Sequence, residues 1–188
     1  MVKVFSEIGK LKRVLLHEPG EELENLTPKY LGDLLFDDIP YLPLAKREHQ
    51  AFAEAFRKEG IEVVYLVDLV SEALDTSIEI KKAFISQFIR EANVTSDTLT
   101  NLLENYLLSF SDTKLMIRKL IAGIKKTELP GFEKRNLADF VGDYPFLTDP
   151  IPNLYFTRDP FAIIGNGVSL NKMYSETRCR ETIFGDAS

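Results

Sequence analysis

The stretch IEVVYLVDLV, residues 61–70, is an almost continuous apolar run of strand-forming residues and reads as a buried strand. Just upstream, LAKREHQAFAEAFRKEG (44–60) sets Ala45, Phe52 and Phe56 on one helical face. Gly60 follows where a helix commonly stops. Earlier still, KRVLLHE (12–18) is a short β-rich run broken by Pro19-Gly20. Strand, helix, strand is the pattern of an α/β unit, so residues 1–73 are expected to form one.

From about 74 to 146 the pattern turns helical. TSIEIKKAFISQFIREAN (76–93) opens with Thr76 three residues before Glu79, the spacing of a capping box. Its Ile80, Phe84 and Phe88 recur at helical intervals. SDTLTNLLENYLLSF (96–110) and SDTKLMIRKLIAGIKK (111–126) carry similar stripes, the second running from Leu115 to Ile124. Both Ser-Asp-Thr starts are N-cap chemistry. An inserted all-helical bundle is expected, and core packing alone accounts for it.

Composition narrows the function classes. The chain has 188 residues, 45% of them hydrophobic, and a formal net charge of −6. That acidity opposes a nucleic-acid or anionic-membrane surface, since both need clustered Lys and Arg. No apolar stretch approaches the ~20 residues of a membrane span, and the first residues lack a signal-peptide core. One cysteine and two distant histidines cannot build a zinc site of ordinary spacing. A single cysteine also forms no disulfide within the chain, which suits a reducing cytoplasm. No metal site is expected.

From about 147 the β signals return. In NLYFTRDPFAIIGNGVSL (153–170), Gly165-Asn166-Gly167 marks a tight turn between β-rich flanks. SETRCRETIF (175–184) reads as a helix entered from that hairpin. Asp159 admits two readings. Read as extended chain, its segment leaves it on the face of Thr157 and Tyr155, away from Arg158. It is then a carboxylate among aromatic rings without a local cation, suited to a guanidinium or ammonium ligand. Read as Asp-Pro, it simply starts a turn, and spacing alone favours this. Arg178 and Arg180 could clamp a carboxylate, or form surface pairs with Glu181 and Glu176. Cys179 lies between them with no histidine nearby, and His17 and His49 read as structural.

Taken together, FSEIGKLKRVLLHEPG (5–20), LLFDDIP (34–40) and PNLYFTRDPFAIIGNGVSLNKMYSETRCRETIF (152–184) resemble the bacterial arginine deiminases. The resemblance runs from about residue 4 to 185 and includes the helical insertion. It implies an α/β fold: part of a pseudo-fivefold ββαβ propeller of the pentein type. In that division 1–73 is the first module, 74–146 the insertion, and 147–188 the truncated start of the next module. It implies hydrolysis of L-arginine to L-citrulline and ammonia through a covalent cysteine intermediate, without metal or organic cofactor, and a cytoplasmic parent that forms a homo-oligomer. Asp159 is implied to grip the guanidinium during catalysis. Asn153 and Phe156 would line the pocket, with Leu35 on a covering loop. Arg178 would hold the α-carboxylate, with Arg180 as the alternative. The implied nucleophilic cysteine and acid–base histidine lie beyond residue 188. The chain is therefore expected to hold only the substrate-binding half and to be inactive alone. Its alternatives are a non-catalytic arginine-binding or interaction module and, more weakly, a related amidinotransferase or agmatine deiminase.

Overall fold

The computed structural model describes residues 3–131 and 144–187. Residues 132–143 of the insertion expected over 74–146, with residues 1, 2 and 188, therefore lie outside the described residues. Strands β1 (Arg13–Leu16) and β2 (Glu62–Tyr65) pair in parallel, Val14 opposite Val63 and Leu16 opposite Tyr65. A parallel pair needs a long crossover. Here it contains the short α1 (Glu21–Glu24) and the long α2 (Leu42–Lys58). The expected strand–helix–strand unit is present.

The run at 61–70 is not one strand. It leaves the sheet at Tyr65, and α3 (Leu66–Leu74) begins at once. Leu66, Val67, Val70 and Leu74 are all buried, a spacing that suits one helical stripe. Asp68 turns outward to pair with Lys114 Nζ at 2.7 Å. A short apolar run fits either state in isolation, and packing against a helix bundle selects the helix. The face of α2 also differs from expectation. Leu42, His49 and Ala53 are buried, whereas Phe52 is 47% exposed and rests edge-on against Phe56.

His49 sits between the rings of Tyr65 and Tyr155, at 5.9 and 6.0 Å. Both ring nitrogens are buried without a hydrogen-bond partner among the described residues. Burial holds its pKa below the ordinary imidazole value, more than offsetting the opposing pull of Glu18. The unfolded chain therefore binds the proton first as pH falls. Stability is fully present above the unfolded pKa of about 6.5 and declines below it, by at most about 1.4 kcal/mol per pH unit from this group. Urea midpoints between pH 7.5 and 5.5 should fall for the wild-type chain and fall less for His49→Phe.

Helices α4 (Ile78–Glu91), α5 (Asp97–Leu108) and α6 (Thr113–Ala122) complete the bundle with α3. The cap of α4 is Ser77, whose hydroxyl accepts from Glu79 N at 3.1 Å. Thr76 instead donates to Ala73 O and closes the end of α3. Ile80 is exposed, and Phe84, Ile85, Phe88 and Ile89 form the buried stripe. Asp112 caps α6, accepting from Lys114 N and Leu115 N. Ser96 precedes α5 without a side-chain cap bond. Leu115 is half exposed, while Met116, Ile117, Leu120 and Ile121 fill the core.

Helix α6 ends on Gly123 and gives way to β3 (Ile124–Lys125), antiparallel to β4 (Phe146–Thr148). The helical stripe read through to Ile124 thus stops two residues early. Beyond β4 a 3₁₀ turn (Pro152–Tyr155) leads to the hairpin of β5 (Phe161–Ile164) and β6 (Gly167–Leu170). Ile164 stands opposite Gly167, and Gly165 has φ +61°, so the tight turn lies where its glycines place it. The hairpin begins after Pro160, and Asp159 therefore precedes it rather than lying within its first strand.

The segment 175–184 is also divided. A 3₁₀ turn (Glu176–Arg178) precedes α7 (Glu181–Ala187). Phe184 of α7 is fully buried against Phe84 and Phe88 of α4, at 5.7 and 6.4 Å between ring centroids. A phenylalanine buried this completely is worth about 2–3 kcal/mol. The bundle thereby fixes the segment carrying Arg178 and Arg180. No described helix is long and apolar enough to cross a membrane. No cluster of three metal-ligating side chains occurs among the described residues.

Candidate functional site

Pro152 starts a 3₁₀ turn that sinks Asn153 and Leu154 into the protein. The Asn153 side chain donates to Leu34 O at 2.9 Å. Thr177, from the far end of the sequence, donates its hydroxyl to Asp33 O at 2.8 Å. These two bonds tie the 31–36 loop to the segments carrying Asn153 and Arg178. Leu34 anchors that loop in a small core with Leu23, Leu26 and Leu42. Its neighbour Leu35 is 52% exposed, at φ +61°. A left-handed leucine costs roughly 1–2 kcal/mol, so the surrounding bonds hold an apolar side chain outward.

Phe156 and Asp159 follow on the turn after Asn153. Phe156 N donates to Asn153 O, and Asp159 N to Phe156 O. Phe156 is 49% exposed, with Tyr155 edge-on beside it. Asn171 donates its side-chain amide to Asp159 O, fixing the backbone from the β6 side. The Asp159 carboxylate stays half exposed.

Asp159 does have a cation. Arg178 donates from NH1 to its Oδ2 at 3.0 Å. Because Asp159 lies on a turn rather than a strand, the strand-alternation reading that left it without a local cation does not apply. Arg178 is held from its other side by Glu181, through Nε at 2.7 Å and NH2 at 2.8 Å. Glu181 is fully buried. Those bonds and that charge hold the Arg178 pKa above its ordinary value, with a smaller contribution from Asp159. Burial pushes the Glu181 carboxyl up, and Arg178 only partly opposes it. Sequence reading treated Arg178–Glu181 as a surface pair. The missed signal is that Glu181 follows Arg178 by three residues while Ile183 and Phe184 draw the same helix into the core.

Arg180 occupies different surroundings. It is 3% exposed and lies over the Phe88 ring at 5.4 Å, with NH2 donating to Asp149 O. NH1 is buried without a partner among the described residues, and burial lowers its pKa. Cys179 is partly buried and turns its thiol toward the carbonyls of Met173 and Ser175. His17 is buried against Glu22 at 3.2 Å. A contrast between the two arginines follows. Arg178→Met leaves a buried carboxylate unpaired and should cost about 3 kcal/mol, whereas Arg180→Met should fall within about 1 kcal/mol of wild type or stabilise. Chemical denaturation of the two variants checks this.

The site thus gathers Leu35, Asn153, Phe156, Asp159 and Arg178, whereas Arg180 is buried against Phe88 and Asp149. It offers an accessible carboxylate beside aromatic surface and an anchored guanidinium, the elements for holding a ligand with a cationic and an anionic end. Comparison with known proteins is specific. The family model described as arginine deiminase matches residues 32–187. The chain belongs to the arginine deiminase family. It is 57% identical to the arginine deiminase of Clostridium perfringens over 97% of its length and 45% of that relative's. It is 56% identical to that of Streptococcus agalactiae over 98% of this chain and 45% of the relative. For Treponema denticola the figures are 53%, 99% and 46%. The chain spans slightly less than half the length of these curated relatives.

Proposed function

We propose that the chain supplies the substrate-gripping half of an arginine deiminase, in a cytoplasmic parent that forms a homo-oligomer. The parent would hydrolyse L-arginine with one water to L-citrulline and ammonia. Membership of the family supports the reaction, and the names of the relatives support arginine as substrate. The observation that carries the site assignment is Asp159, a half-exposed carboxylate on a turn braced by Asn171 and flanked by Phe156. A planar guanidinium presents parallel N–H donors that one carboxylate accepts in pairs. Phe156 and Leu35 supply apolar surface for the ligand's methylenes, and Asn153 fixes the loop bearing Leu35. Arg178 binds the α-carboxylate, since its guanidinium stands beside Asp159 while that of Arg180 is buried against Phe88.

The same reading assigns the α/β unit and the hairpin to two modules of a pentein propeller, with the helical bundle inserted between them. The nucleophilic cysteine and the acid–base histidine belong to the parent outside this chain. Within it, Cys179 faces backbone carbonyls, and both histidines are buried. The chain alone therefore forms no citrulline.

The test compares purified 188-residue chain with the complete polypeptide that its gene encodes. The complete polypeptide should produce citrulline from L-arginine, and the chain alone should produce none above a thiol-blocked control. Citrulline from the chain alone would overturn the division of labour. No citrulline from either would overturn the reaction.

A further inference from the structure

Three donors of Arg178 are engaged at once, two on Glu181 and one on Asp159. The two acids differ in environment. Glu181 is fully buried, while the Asp159 side chain is 49% exposed. The first contact is a bidentate pair inside the protein, and breaking it would strand a buried charge. The second is a single-pronged pair at the surface, of the kind worth about 1 kcal/mol or less. Arg178 is thus anchored on one side and exchangeable on the other. The guanidinium that now occupies Asp159 is the protein's own.

The geometry points to Arg178 as a selectivity latch: in the empty site it holds the carboxylate meant for the ligand, and only a ligand bearing both a guanidinium and a carboxylate releases it without loss. This inference rests on the arginine-binding reading of Asp159 and Arg178. A ligand guanidinium displaces Arg178 NH1 from Asp159, and the ligand's own carboxylate then takes up the freed NH1. One ion pair is broken and two are formed. For agmatine, which lacks the carboxylate, one pair is broken and one formed, and Arg178 keeps a donor without an anionic partner. Glu181 is the positioning residue in this exchange, because it keeps the guanidinium at the rim when Asp159 lets go.

A simple carboxylate clamp and a latch differ in their effect on agmatine. If Arg178 only clamps, its removal weakens arginine and leaves agmatine unchanged. If it latches, its removal also frees Asp159, and agmatine binds more tightly. The experiment uses the complete polypeptide encoded by the gene, as wild type and as the double variant Arg178→Leu, Glu181→Gln, which removes the buried charge together with its partner. A second variant, Arg178→Lys, retains the charge near Glu181, but a single ammonium cannot span both acids. Citrulline formation gives kcat/KM for L-arginine, and the ligand-dependent rise in Tm gives the Kd of agmatine. Expected in both variants is a fall of about 100-fold in kcat/KM for arginine, with agmatine bound about fivefold tighter, the worth of a half-exposed ion pair. Agmatine affinity that is unchanged or weaker, with arginine turnover impaired, overturns the latch and leaves the clamp standing. Absence of citrulline formation by the wild type overturns the arginine reading and the latch with it.

Discussion

Asp159→Ala in the complete polypeptide should reduce citrulline formation by about a thousandfold or more while leaving the fold intact. The first half of this expectation follows from the guanidinium-gripping role proposed for the carboxylate. A guanidinium has charge spread over three nitrogens and can enter a pocket in several orientations. Paired hydrogen bonds to one carboxylate select the orientation that exposes its carbon, and lost orientation alone can cost several powers of ten in rate. The second half follows from the surroundings of Asp159. Its side chain is half exposed, and among the described residues its one ion pair is the single contact with Arg178, so removal should cost about 1 kcal/mol at most. The backbone bond from Asn171 does not involve the carboxylate and survives. Asp159→Asn should also be poorly active, because it keeps the shape but loses the charge. Citrulline assays and thermal denaturation on the same preparations separate the two effects. A large fall in Tm would make Asp159 structural, and retained turnover would remove it from the site.

How much of this was legible beforehand depended on whether a segment's partners lie near it in sequence. Gly165, at φ +61°, specifies a tight hairpin through its own backbone freedom, and the hairpin is where it places it. The strand–helix–strand order of β1, α2 and β2 is legible as two β-rich runs separated by a helical pattern. The continuation IEVVYLVDLV reads as one strand because local pattern does not contain the partners of its last half, α6 and α7, which lie far along the chain. The aromatic pair Phe52 and Phe56 marks a face of α2 that is not its most buried one, since Phe52 is 47% exposed and Phe56 half-buried while Ala53 and His49 face inward. At the site, the family motifs led to Asp159, Asn153, Phe156 and Arg178, but periodicity did not. Asp159 requires a turn where alternation assumed a strand. Glu181 was passed over as a surface residue because its burial is imposed by Phe184, whose partners Phe84 and Phe88 lie nearly a hundred residues earlier.

Gly123→Ala should destabilise the protein by about 3 kcal/mol or more, the largest effect expected from one added methyl group. Gly123 closes α6 with φ +82° and ψ 156°, a region open essentially to glycine alone, where another residue costs about 1–3 kcal/mol. The space is also taken. A Cβ there would stand 2.7 Å from Pro150 N and 2.8 Å from Thr148 O, backbone atoms that cannot rotate aside. Two further bonds lock that approach: Ile124 N donates to Thr148 Oγ1, and Ile151 N donates to Ile121 O. Gly60→Ala is the matched control, since it shares the left-handed φ, at +72°, but has nothing within 4 Å of the added carbon. It should cost only about 1 kcal/mol, so the difference between the two urea midpoints isolates the clash. The consequence should reach the site, because the chain displaced at 148–150 continues into the turn that sets Asn153, and Arg180 bonds Asp149 O. Folded Gly123→Ala protein should therefore bind arginine more weakly than its Gly60→Ala counterpart. Equal stability and equal affinity in the two variants would show that residues 148–150 yield to the methyl, and that the end of α6 does not help position the turn carrying Asn153.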